Sequence, residues 1–238
     1  MPFLAGSLDN LGVKHLELGH YEKALFYTME AVNIYNTIVS YGYIRYSPYL
    51  AGSIDNLSLI YYYLRKYKQA YHANIWGTQI RRYLADQNPG RFLPDLAASL
   101  GKQGIILLKL GQYETALNVN KEEVDILRGL AHKNPDRFMP QLAMSLNNLG
   151  ETLSTLKLSK EAIKVYEEAV RVIAPYFLNN PTIFSELTSI IISNYVRKSV
   201  DLGFYPRPEL VCIFYKSAKE LNPNIMEIIY KICTNREK

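Results

Sequence analysis

The sequence predicts an all-α fold, a right-handed α-solenoid of antiparallel helix pairs. Three observations predict it. Columns of identical residues recur every 46 positions: Pro2, Pro48, Pro94 and Pro140; Leu4, Leu50, Leu96 and Leu142; Ser7, Ser53, Ser99 and Ser145; Ala24, Ala70, Ala116 and Ala162. A fixed period of this size marks a repeat array. Within a unit the apolar residues recur at helical spacing, as in Leu142, Leu146, Leu149, Leu153 and Leu156. No segment shows the Val/Ile/Thr alternation of a half-buried strand.

The elements follow in order. The first helix of each unit begins near the proline column, where Ser47-Pro48 offers an N-cap and a preset first turn. Leu18-Gly19 and Leu110-Gly111 mark its stop. The second helix starts at Tyr21, Tyr67 or Tyr113 and runs about five turns. "NPGRF" (Asn88 to Phe92) and "NPDRF" (Asn134 to Phe138) then break the chain before the next unit. Asn180-Pro181 and Phe184 hold the period into a fifth unit, after which the columns slip. Asn222 to Cys233 reads as a helix with Ile225, Ile228, Ile229 and Ile232 on one face, a cap for the open end of the array. The expected organisation is four units over residues 2–178 (2–47, 48–93, 94–139, 140–178), a divergent fifth helical unit over 179–222, and a capping helix and tail over 223–238.

The small columns, Gly12, Ser58, Gly104 and Gly150 facing Ala24, Ala70, Ala116 and Ala162, let the two helix axes of a pair approach; larger side chains there would overpack. The Tyr21 column supplies a core ring near the turn. Arg65, Lys66 and Lys68 and the pair Arg81-Arg82 are expected as solvated charges.

Leu11-Gly12, Gly19, Tyr21, Ala24 and Ala31 in the first unit, and Leu110-Gly111, Tyr113 and Ala116 in the third, resemble the tetratricopeptide repeat. That repeat is usually about 34 residues long, so the 46-residue unit is similar to the long-helix repeats of kinesin light chains. It is more similar still to the "NPDRFxPxLAxSLNNLG" repeats behind NTPase or protease domains of bacterial and fungal proteins. The resemblance covers Pro2 to Arg171. A first unit starting right after Met1 fits either a small natural array or a piece of a longer one.

The resemblance implies a non-enzymatic scaffold that holds an extended peptide or partner segment in a concave groove lined by the first helices. Aligned units give the columns Asn10, Asn56, Lys102, Asn148 and Asp9, Asp55, Gly101, Asn147. Tyr62, Tyr63 and Lys109 lie further along the same side. An Asn amide can pair with both groups of one peptide unit, and in the long-helix repeats such asparagines contact peptide. The match is residue by residue at Asn10, Asn56 and Asn148. Lys102 departs from it and could meet an acidic side chain. The competing reading is that these amides bond the neighbouring repeat.

Composition bounds the alternatives. The net charge is +5 and the pI about 9.0, mildly basic. Asp9, Asp55 and Glu17 beside Lys102 and Lys109 argue against the uniformly positive track a nucleic acid needs. An RNA-binding helical repeat and a regulatory fragment of a larger signalling NTPase or protease stay open as alternatives. Four histidines lack metal-ligand spacing, no Gly-rich phosphate loop occurs, and no cofactor or metal is expected. The N-terminal residues lack a basic region followed by an apolar run, so no signal peptide is expected, and no apolar run has membrane-spanning length. The two cysteines, Cys212 and Cys233, make no disulfide framework, which points to a reducing, cytoplasmic setting. The expected partner is a protein or peptide, and the chain is a monomer or a dimer through its terminal helices.

Overall fold

The structure is a computed structural model and describes residues 1–234. The last four residues of the expected tail lie outside the described residues. Four helix pairs come first: α1 (Pro2–Glu17) with α2 (Tyr21–Ser40), α3 (Ser47–Tyr63) with α4 (Tyr67–Gln87), α5 (Pro89–Lys109) with α6 (Tyr113–Lys133), and α7 (Pro135–Thr155) with α8 (Ser159–Asn179). Then follow α9 (Pro181–Asp201), the single turn α10 (Pro208–Val211), a 3-10 segment (Cys212–Glu220) and α11 (Pro223–Thr234). No strand occurs among the described residues.

One device closes every first helix. Gly19, Arg65, Gly111, Lys157 and Gly203 all have left-handed backbone, with φ between 58° and 77°. The next residue donates its N–H five residues back: His20 to His15 (2.8 Å), Lys66 to Tyr61 (2.9 Å), Gln112 to Leu107 (3.0 Å), Leu158 to Leu153 (2.9 Å) and Phe204 to Ser199 (2.7 Å). This is the Schellman stop, which satisfies carbonyls the helix end would orphan. Gly203 continues the column into the fifth repeat. The expectation that the columns slip after Phe184 is therefore corrected for the first helix of that repeat. The slip comes later, where a long second helix is replaced by α10, the 3-10 segment and α11.

The starts differ from expectation. "NPGRF" and "NPDRF" open helices instead of separating units. The side chain of Asn88 accepts from the Arg91 N–H and that of Asn134 from the Arg137 N–H, and proline follows at the first helical position, where its missing N–H costs nothing. Pro94 and Pro140 consequently lie inside α5 and α7.

The chain divides into two compact units, residues 1–119 and 120–238, with the division inside α6. In the first, Val32 and Tyr35 of α2 pack with Leu50, Ile54 and Leu57 of α3 and with Ala73 of α4. Helix axes come close where the small columns meet. A Cβ on Gly12 would stand 2.2 Å from the Thr28 hydroxyl oxygen, and the Ser58 hydroxyl donates to the Ala70 carbonyl at 2.8 Å. In the second unit a Cβ on Gly150 would stand 2.8 Å from the Tyr166 ring. That core is built on Tyr166, Ile173, Phe177, Ile191, Ile192, Tyr195 and Phe214.

The C-terminal segment is helical, and Ile225 and Ile229 of α11 are buried. One feature departs. Cys212 and Cys233 form a disulfide across 21 residues, tying the 3-10 segment to α11. The sequence argument for a reducing compartment loses its premise.

Candidate functional site

The asparagine column is best described through its bonds. Asn56 of α3 donates its amide to both carboxylate oxygens of Asp9 on α1, at 3.2 and 3.3 Å. Lys102 of α5 donates to Asp55 of α3 at 3.2 Å. In the second unit Asn194 of α9 donates to Asn147 of α7 at 3.0 Å, and Lys198 donates to Glu151 at 3.0 Å. Each pair is separated by 47 residues, one more than the repeat. The donor column of one repeat thus reaches the acceptor column of the repeat before it. These four donors and their acceptors are satisfied between repeats.

This sorts the ten candidate residues. Asp55 and Asn147 are buried and partnered inside the protein, so neither is a groove surface. Asp9, Asn56 and Lys102 are half-buried and hold neighbouring repeats together; Asn56 keeps a free carbonyl and Lys102 two further donors. Asn10 is exposed and Asn148 half-buried, and neither amide has a side-chain partner among the described residues. Lys109 is exposed.

Tyr62 and Tyr63 end α3 in an aromatic group. Tyr63 stacks on Tyr21 with ring centroids 5.4 Å apart, and Tyr62 meets Tyr67 edge-on at 5.5 Å. The Tyr21 column, expected as core, is half-buried or exposed, and Tyr21 and Tyr67 of that column make these ring contacts. Between α3 and α5 opens a cleft of about 220 Å³, lined by Leu59, Tyr62, Tyr63, Lys102, Ile105 and Ile106 with Ser58 at its base. Tyr63 is 50 % and Ile105 40 % exposed.

Beneath the cleft lies a cluster that the sequence reading missed. Asp55 accepts from Arg81 at 2.8 Å and from the Ser99 hydroxyl at 3.4 Å, besides Lys102. Arg81 also meets Asp95 at 3.4 Å. Arg81, read as a solvated charge, is buried. The signal was in its column: the equivalent residues Tyr35, Leu127 and Ile173 are all buried apolar side chains. Glu123 was missed similarly, in a column with Ala31, Gly77 and Ala169. Burial pushes its carboxyl up to about 7, and the Ser145 hydroxyl only partly offsets this. In α1 and α7 the acids differ. Burial raises Asp9, with the Asn56 and Ser53 hydrogen bonds opposing. Glu151 accepts from Tyr166 at 3.1 Å, and burial and that carboxylate together raise the Tyr166 hydroxyl.

Helix pairs closed by a left-handed turn, with small residues at the pair contact and a cleft between α3 and α5, form a helical repeat. The tetratricopeptide repeat model matches residues 144–174. No curated protein matches the sequence. Among solved structures, the nearly identical TPR-like repeats of a Podosopora anserina kinesin light chain share 16 % identity at a TM-score of 0.69, covering 100 % of this chain and 99 % of that one. MamA (41-end) of Desulfovibrio magneticus RS-1 shares 17 % identity at 0.54, covering 91 % and 94 %. The apo form of RapI shares 13 % at 0.60, covering 98 % of this chain and 63 % of that one. The chain has the all-α helical-repeat fold of these TPR-like structures. That fold commonly serves as a non-catalytic scaffold for protein interactions. No helix among the described residues is long and apolar enough to cross a membrane.

Proposed function

We propose that the chain is a non-enzymatic scaffold whose first helices α1, α3 and α5 hold an extended peptide. One apolar side chain of the peptide enters the cleft beside Tyr62 and Tyr63. An acidic side chain meets Lys102 or Lys109, and the free amide of Asn10 pairs with peptide backbone. Asn148 offers the same contact on α7. The observation that carries this reading is the cleft itself: exposed Tyr63 and Ile105 flank an opening of about 220 Å³ with a lysine amine at its edge. An aromatic body with a polar tip beside a small apolar pocket is the composition of a binding surface.

The test is selection of peptides from a displayed random library on the intact chain, followed by calorimetry on the selected peptide. Tyr63→Ala is expected to weaken binding about tenfold or more, with helicity unchanged. Failure to select any peptide, or an affinity indifferent to Tyr63→Ala, overturns the proposal.

A further inference from the structure

Two histidines meet at the α1–α2 turn. His15 stands near the end of α1, in a column whose other members are Tyr61, Leu107 and Leu153. Leu107 and Leu153 are at most 5 % exposed. His20 precedes α2, where the other repeats carry Lys66, Gln112 and Leu158. The repeat fold thus requires a histidine at neither place. The left-handed turn at Gly19 brings the pair together. The His20 N–H bonds the His15 carbonyl at 2.8 Å, and the two Nδ1 atoms stand 3.4 Å apart. The Tyr27 ring of α2 lies flat against His15, with centroids 5.4 Å apart and planes within 9°, and holds that ring in place. A separation of five residues gives no metal-ligand spacing on a straight helix; the turn supplies it.

We propose that His15 and His20 bind a zinc ion through their Nδ1 atoms. The distance carries the choice. A hydrogen bond between ring nitrogens is good near about 3.0 Å, and this pair is longer, at 3.4 Å. Two nitrogen ligands at about 2.0–2.1 Å from a tetrahedral zinc stand about 3.3–3.4 Å apart. Neighbouring corners of a square-planar ion such as copper would bring them to about 2.9 Å. Zinc replaces the hydrogen between the two nitrogens, and each ring keeps its proton on Nε2. Both cysteines are joined in the disulfide, so no thiolate competes. No set of three or more His, Cys, Asp or Glu side chains is placed to hold a metal among the described residues. The other two positions of the zinc therefore go to water, as open positions do in sites short of protein ligands. Bound zinc ties the end of α1 to the start of α2, one residue before Tyr21, which stacks on Tyr63.

Calorimetric titration of the metal-stripped chain with zinc chloride tests this, with His15→Leu and His20→Gln as variants. Each borrows a residue that another repeat carries in the same column, and helicity is measured alongside. The expected result is one zinc per chain, with each variant weakening binding about tenfold or more. His20 is exposed, so His20→Gln serves if His15→Leu disturbs the fold. His72→Gln and His132→Gln leave binding unchanged, and magnesium, which takes oxygen ligands, does not bind. Zinc raises the melting temperature of the parent chain and not that of the double variant. Nitrogen-15 spectra of the imidazoles place the metal on Nδ1. No zinc binding, binding indifferent to both substitutions, or a zinc shared between two chains in sedimentation overturns the proposal. Peptide binding at the Tyr63 cleft does not enter the measurement, so failure of either proposal is read separately.

Discussion

Asn10 and Asn56 occupy the same column and the same place on their helices, yet their surroundings differ. Asn56 spends both amide contacts on the Asp9 carboxylate; the Asn10 amide has no side-chain partner among the described residues. A hydrogen bond to a charged group is worth about 1.5–3 kcal/mol net, less where water reaches it. Asn56→Ala is therefore expected to lower stability by about 1.5 kcal/mol. Asn10→Ala is expected to leave it within about 0.5 kcal/mol, because alanine is the better helix former. Urea denaturation of both variants checks this. Equal midpoints would show that the amide contributes nothing between repeats. The same contrast decides where peptide contact is sought: at Asn10 and Asn148, whose amides remain available.

At the scale of the element, α6 carries a carboxyl in a position where other repeats have alanine or glycine. One oxygen of Glu123 has no hydrogen-bond partner among the described residues. Burial raises this group from 4.5 to about 7. Between those values the folded chain binds a proton that the unfolded chain has released. The favourable contribution is therefore full below about 4.5 and is lost as pH rises through about 7. Glu123→Gln is expected to raise stability at pH 8 by on the order of 2–3 kcal/mol and to flatten the dependence across that window. Thermal melts of both proteins from pH 4 to pH 8, taken in buffers of equal ionic strength, make the measurement. A parallel pH dependence in the variant would place the titration elsewhere.

At the scale of the whole molecule, the C-terminal segment carries a covalent cross-link. The last long helix, α9, is followed by a short cap whose buried residues are few, Leu210, Val211, Phe214, Leu221, Ile225 and Ile229. The disulfide compensates for that small core by restricting the unfolded cap, an effect of about 3 kcal/mol for a loop of this length. Cys233→Ser is expected to melt the cap first, seen as hydrogen exchange over residues 208–234 that rises while the first unit stays protected. Uniform loss of protection along the chain would mean that the cap is not a separable element.

The repeat, the helix pairs and their stops were legible because they are local. A 46-residue period, glycine at a left-handed turn and small residues at a helix contact are imposed by backbone sterics and close packing, and each shows in the residues themselves. Buried Arg81 and Glu123 were legible in principle, since their columns are apolar or small elsewhere. The meaning of the asparagines was not. Aligned columns say which residues share a face of one helix, but stacked repeats meet with an offset of one residue. That offset joins position 56 to 9, 102 to 55 and 194 to 147. It is set by how side chains of adjacent helix pairs interlock, which no single repeat encodes. The disulfide is of the same kind: 21 residues of separation allow it, and only the fold-back of α11 onto the 3-10 segment brings the two sulfurs together. Sequence alone determined the period, the all-α class and which residues share a side of each helix. Tertiary structure decided which polar groups on that side bind the next repeat and which remain open, because hydrogen bonds depend on distances between repeats and the period does not fix those.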